Sequence, residues 1–179
     1  MEQNIITPLD QYEPQIGAWM WALQDARQRT LNSLKGLDDQ TINWVAPDAA
    51  NSIGTLLYHI AAIEMSWLYE DILEGINFPA EVGGLLSYDV RDDDGQLTLV
   101  VVETLEKHLN RLKVTRQYFL SATEGMSLDE FRRSRKLDSH EVSPEWVIHH
   151  LMQHEAEHRG QIGEIRGMAE RALGKGKVG

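Results

Sequence analysis

An all-α fold, drawn as an antiparallel four-helix bundle with two long connections, is what this chain of 179 residues predicts. Three observations carry that expectation. Four segments place apolar residues at three- and four-residue steps, which gives each helix one buried face. No alternating apolar and polar run exceeds four residues, so no strand of ordinary length is expected. Two stretches, Ile76 to Leu97 and Thr123 to Val142, are longer than connections in compact domains usually are, so they are functional or hold short elements of their own. Residues 1–179 are expected to form one domain, long enough to bury roughly 70% of the unfolded surface.

The first helix is expected over about 12–35, with Ile16, Trp19, Met20, Leu23, Ala26, Thr30, Leu31 and Leu34 on its inner face. Pro14 suits its first turn and Gly36 its end. The second, over about 52–74, opens at Asn51-Ser52, carries Ile53, Leu56, Leu57, Ile60, Ile63, Trp67, Leu68 and Ile72, and stops at Gly75. The third, over about 98–122, follows Asp92-Asp93-Asp94-Gly95 and carries Val101, Val102, Leu105, Leu109, Leu112 and Phe119. The fourth, over about 144–172, has the clearest start: Ser143 as N-cap, Pro144 in the first helical position, then Glu145 at the positive end of the dipole. Its stripe is Val147, Leu151, His154, His158, Ile162, Ile165 and Ala169. A short helix is expected near Glu130 to Lys136, and a Gly/Lys tail closes the chain.

Composition narrows the chemistry. With 28 acidic residues against 17 Lys and Arg, the net charge is −11, a poor match to a phosphate backbone, so nucleic acid is not expected as a partner. The longest aliphatic run, Leu99 to Val102, is far short of the ~20 residues of a membrane helix, and the N-terminus lacks a basic, apolar leader, so a cytoplasmic location is expected. The absence of Cys excludes disulfides, thiolate-held metal clusters and a cysteine nucleophile. Any metal must be held by imidazole and carboxylate.

His154 and His158 stand where the fourth helix should be apolar, one turn apart on one face, so both rings can reach a single cation. His59 lies three residues after Leu56 and four before Ile63, at the edge of another core stripe. Core imidazoles satisfied by hydrogen bonds would explain each alone. Burying three unpaired would cost on the order of 1–3 kcal/mol each, a penalty that a shared cation removes. Three His with an open fourth position is the pattern of a catalytic rather than a structural zinc.

Residues 51–67 (NSIGTLLYHIAAIEMSW) and 143–166 (SPEWVIHHLMQHEAEHRGQIGEIR) resemble the DinB/YfiT-like superfamily of four-helix-bundle metalloproteins. In that family one His of the second helix and an HxxxH pair of the last bind a divalent metal, which implies His59, His154 and His158 as ligands here. The resemblance follows the helix order along essentially the whole chain. It implies a small-molecule substrate, since some members resemble thiol-dependent S-transferases or isomerases, while a site built of imidazoles takes zinc foremost, with nickel, iron or copper as alternatives. A low-molecular-weight thiol is the expected cosubstrate and a homodimer the expected assembly. Imidazole must be neutral to coordinate, so metal affinity should weaken as pH falls through roughly 6 to 5.

Other readings compete. His154-Glu155-Ala156-Glu157-His158 is H-E-x-x-H, but Gly and His are missing at the later metzincin positions, and no strand exists to hold a peptide. A ferritin-like di-iron site needs a second E-x-x-H, which the chain lacks. A metal-dependent hydrolase and a metal-stabilised dimeric binding module without catalysis are the alternatives kept. Glu64, Glu155 and Glu157 are either helpers beside the metal or solvated helix-face carboxylates, and His150 is a substitute ligand or a neighbour. His149 reads as a helix flank, His108 and His140 as surface residues. Arg132, Arg133, Arg135 and Lys136 could grip an anionic cosubstrate or be a solvated turn. Gly160, Gly163 and Gly167, each costly in a helix, suggest a closely approaching backbone from a neighbouring helix or a dimer partner.

Overall fold

The computed structural model describes residues 5–47 and 51–175, so the last four residues of the Gly/Lys tail lie outside it. The molecule is mostly helical. Four long elements dominate: α1 (Pro14–Ser33), α3 (Ile53–Ser66), α5 (Leu105–Thr123) and α7 (Pro144–Ala172). Shorter helices α2 (Asp39–Ile42), α4 (Ala80–Leu85) and α6 (Leu128–Arg132) lie in the connections, with a two-residue hairpin of β1 (Arg135–Lys136) and β2 (Glu141–Val142) before α7. No described helix is long and apolar enough to cross a membrane.

Local chemistry sets the starts. Ser52, Thr104 and Ser143 are N-caps whose hydroxyls accept the N–H three residues on, from Thr55, Lys107 and Trp146. Pro144 occupies the first turn of α7. Gly36 (φ 78°) follows α1, and Gly75 (φ 89°) ends the second segment, whose last turn, Trp67–Ile72, widens into a π-helix. Such turns are rare and frequent at functional sites.

The third helix begins at Leu105, not near Thr98. Val102, assigned to its inner stripe, is 82% exposed. The backbone of this stretch is already engaged: Val100 donates its N–H to Thr55 Oγ1 (2.9 Å), and its carbonyl accepts from Ser52 Oγ (3.2 Å). The chain therefore runs extended across the start of α3 until Thr104 can cap α5. Asp92-Asp93-Asp94-Gly95 forms a tight turn in which Asp92 Oδ1 accepts from the N–H groups of Asp94 and Gln96, closed by an antiparallel bridge between Arg91 and Leu97.

Helix directions depart from the strictly antiparallel expectation. Trp19 bonds Glu145, Arg27 bonds Glu155 and Arg166 bonds the Ser33 carbonyl, so α1 and α7 run parallel. Arg111 lies over Tyr58 and Arg116 bonds Glu64, so α3 and α5 also run parallel. The α3–α7 and α1–α5 pairs are antiparallel, as Trp67 on Trp146, His59 on His154, Tyr12 on Leu120 and Arg116 on Leu23 show. A parallel α3–α5 pair needs a crossover, and the stretch from Leu73 to Thr104 supplies it.

The apolar core has two main parts. One gathers Ile16, Met20, Leu23, Met65, Leu68, Phe119, Val147 and Leu151; the other gathers Leu34, Ile53, Leu56, Leu57, Leu112, Ile162 and Ile165. On every long helix a charged residue falls between the two parts: Arg27, Glu64, Arg116 and Glu155. Within the monomer no neighbouring helix approaches the glycines of α7: a Cβ at Gly160 or Gly163 would meet nothing within 4 Å, and one at Gly167 only Arg171 Nη1 at 3.5 Å. The tight positions lie elsewhere: at Gly17 a Cβ would come within 2.7 Å of the Leu9 carbonyl, and at Gly54 within 2.9 Å of the Val100 carbonyl and 3.0 Å of His108 Nε2.

Candidate metal centre

Because α3 and α7 run antiparallel, the middle of one faces the middle of the other, and His59, His154 and His158 meet there. One ring nitrogen of each lies within 4.8 Å of the other two, an arrangement that could hold a metal ion. His154 Nε2 stands 3.1 Å from His59 Nε2 and 3.0 Å from His158 Nε2. His59 is 6% exposed, and the other two are half-buried.

Hydrogen bonding does not account for this arrangement. A neutral imidazole nitrogen offers one N–H or one lone pair. His154 Nε2, facing two nitrogens, can serve one of them and not both. Three nitrogens on a tetrahedral cation, with bonds of about 2.0–2.1 Å, would lie about 3.3 Å apart, close to the spacing seen. The donor set of three imidazoles therefore fits a divalent cation of the zinc type.

The surroundings favour the neutral, ligating form. Burial pushes the His59 pKa down to about 4, helped by His158 and Arg91. Burial pushes His154 down to about 3, helped by His158, His59 and His150. His158 donates Nδ1–H to Gln161 Oε1 at 2.8 Å, which leaves its Nε2 lone pair aimed at the centre. His59 Nδ1 is buried without a hydrogen-bond partner among the described residues.

Behind the imidazoles lies a closed ionic layer. Glu64 accepts from Arg27 Nη2 (2.7 Å) and from Arg116 Nε; Glu155 accepts from Arg27 Nε (2.8 Å) and Arg116 Nη2 (3.3 Å). Each carboxylate bridges both guanidinium groups, and each guanidinium also donates to a backbone carbonyl, Arg27 to Leu112 and Arg116 to Leu23. Although burial pushes the Glu64 carboxyl up, Arg116 and Arg27 hold it below the ordinary carboxylate range. Glu64 and Glu155 are thus neither solvated face residues nor free bases. Glu155 cannot act as the base of an H-E-x-x-H hydrolase while both its oxygens are held this way. Glu157 is exposed.

His150 is half-buried one turn from His154, with ring centroids 5.9 Å apart. It stacks on Trp146 (5.1 Å, 5° between planes) and meets Trp67 edge-on (5.0 Å). Trp67 also contacts Trp146 (5.5 Å) and His140 (5.7 Å).

Other assignments change. His108 is fully buried, not a surface residue; Arg111 Nη1 donates to its Nδ1 at 3.0 Å, and burial, with Arg111 beside it, pushes its pKa down to about 4. His140 is exposed as expected but bonds Asp71 through Nε2 (2.7 Å) and Ser139 through Nδ1 (2.9 Å). His149 is an exposed flank against Trp19. In the basic cluster the three arginines are already engaged, Arg132 with Glu145, Arg133 with Glu74 and Glu130, and the buried Arg135 with Glu130, while Lys136 is exposed. A groove of about 280 Å³ between α1 and α5, floored by Arg27 and Arg116, is lined by none of the three His.

Sequence reasoning missed Gln161, Trp67, Trp146 and the two arginines of the ionic layer as parts of this region. A signal existed for the arginines, since Arg27 and Arg116 each follow a core Leu by four residues, at Leu23 and Leu112.

A family model described as "MST: Mycothiol-S-transferase" matches residues 20–170, most of the chain. No curated protein matches it.

Proposed function

Because this chain belongs to the mycothiol-S-transferase family, within the DinB/YfiT-like metalloenzyme superfamily, we propose that it is a metal-dependent S-transferase acting on a small-molecule thiol. His59, His154 and His158 hold one divalent cation, zinc foremost, and the four long helices form a single four-helix-bundle domain around it. The convergence of three Nε2 atoms that cannot satisfy one another carries this reading.

A divalent cation at this place would favour the thiolate form of a coordinating thiol at neutral pH. The protein's own part is to keep three imidazoles neutral, to fix the His158 tautomer through Gln161, and to hold α3 and α7 at the right separation through the ionic layer. The sulfur then forms a bond to an electrophilic carbon of the second substrate; the leaving group departs with the electron pair of the bond that breaks, and the thiol proton passes to solvent. The two carboxylates buried behind the imidazoles, Glu64 and Glu155, are held by both arginines and are not free to activate water, which sets thiol transfer above hydrolysis.

Elemental analysis of the isolated protein, followed by mycothiol consumption with an alkylating electrophile, tests this. About one metal per chain is expected, lost in His158→Ala, and transfer should stop on chelation and return with zinc. Absence of bound metal, or full transfer by His158→Ala, refutes the reading; stoichiometric metal without thiol consumption would leave only a structural role.

A further inference from the structure

The aromatic cluster beside the imidazoles is not used by the chemistry above. Trp67, Trp146 and His150 form a continuous shelf along the α3–α7 seam, joined to the metal centre through the His150–His154 contact. Trp146 is 48% exposed although it is a large apolar side chain. It lies eight residues from His154 on α7, about 12 Å along the axis at 1.5 Å per residue. An occupant reaching both must carry its thiol at one end and a ring at the other.

Charge selects among such thiols. The neighbouring arginines are paired with glutamates, His140 is bonded to Asp71, and the chain carries a net charge of −11. None of those side chains is free for the carboxylates of an acidic thiol, and Arg91, the cation felt at His59, donates to the Gly95 carbonyl. Indole faces stack on the flat C–H face of a sugar or cyclitol ring, while indole N–H groups and imidazole edges exchange hydrogen bonds with hydroxyls.

We propose that Trp146, with Trp67 and His150, is the subsite that binds the neutral hydroxylated ring portion of the thiol cosubstrate. This rests on the S-transferase reading above and assigns residues that reading leaves unused. Stacking on Trp146 positions the thiol at the imidazoles without Trp146 touching the reacting sulfur.

The test is isothermal titration of the zinc-loaded protein with mycothiol, with its cysteine-free N-acetylglucosaminyl-inositol fragment, in which the amide keeps the ring neutral, and with glutathione as the acidic comparator. The fragment should bind saturably, and glutathione should not displace it. Trp146→Ala should weaken fragment binding about tenfold, and Trp146→Phe, which keeps a ring, by less than about threefold. In turnover, Trp146→Ala should raise KM for mycothiol about tenfold and leave kcat within about twofold. Unchanged fragment binding in Trp146→Ala, no fragment binding at all, or displacement by glutathione overturns the subsite. The two readings fail separately: transfer with an unchanged KM in Trp146→Ala removes the shelf and keeps the S-transferase, whereas fragment binding lost in Trp146→Ala without any transfer keeps the shelf and removes the S-transferase.

Discussion

His59 and His154 titrate well below ordinary imidazole because they are buried among other imidazoles. Protons therefore compete with a cation later in an acid titration than the roughly pH 6 to 5 window that free imidazole would give. Metal content after dialysis should hold through about pH 5.5 and fall toward pH 4; loss already complete at pH 6 would contradict the environment described. His108 makes a related prediction about stability. Its folded pKa, about 4, lies below the unfolded value of about 6.5, so the unfolded chain binds the extra proton between them. Its contribution is complete above about pH 6.5 and is lost as pH falls toward 4. In metal-free protein, His108→Asn, which can keep an acceptor toward Arg111, should flatten the decline in Tm between pH 6.5 and 4.5. An unchanged slope would mean that His108 is not a source of the acid sensitivity.

At the scale of elements, the glycines of α3 and α7 behave oppositely. Gly54→Ala drives a methyl into the Val100 carbonyl and His108, and should cost about 1–3 kcal/mol in urea unfolding. Gly163→Ala enters open space on a helix and should stabilise by about 0.5–1 kcal/mol. Their ranking in Tm checks both; a destabilised Gly163→Ala would point to an approach that the monomer does not contain. The same elements show what sequence could reveal. Ser143-Pro144-Glu145 marked the start of α7 to the residue because capping is local chemistry, and HxxxH on that helix was legible because spacing alone puts two rings on one face. The start of α5 was not, because Val101 and Val102 fit a helical stripe while Ser52 and Thr55, far away in sequence, claim the backbone at Val100. Glu64 and Glu155 were ambiguous for the same reason: their partners lie on other helices, and no periodicity reports them.

At the scale of the molecule, the layer of Arg27, Glu64, Arg116 and Glu155 ties one residue from each long helix into a neutral, buried square between two apolar regions. Arg116→Met would leave two buried carboxylates with one guanidinium, and should cost about 3–5 kcal/mol in urea unfolding. Removing Arg116 and Glu155 together should cost less than the sum of the single changes, since charge balance returns. Additive losses would show that the four residues do not act as a unit. The square also bears on the order in which the molecule is completed. During synthesis α7 emerges after the other three long helices, and it carries Glu155 together with His154 and His158. Until then Arg27 and Arg116 share a single carboxylate, and His59 has no imidazole across from it. A chain released before α7 would bury an uncompensated cation or stay open, so maturation waits on contacts between the first and last helices, slow to close because so much chain separates them. The final helix is thus a checkpoint: a product cut short cannot pass for a finished one.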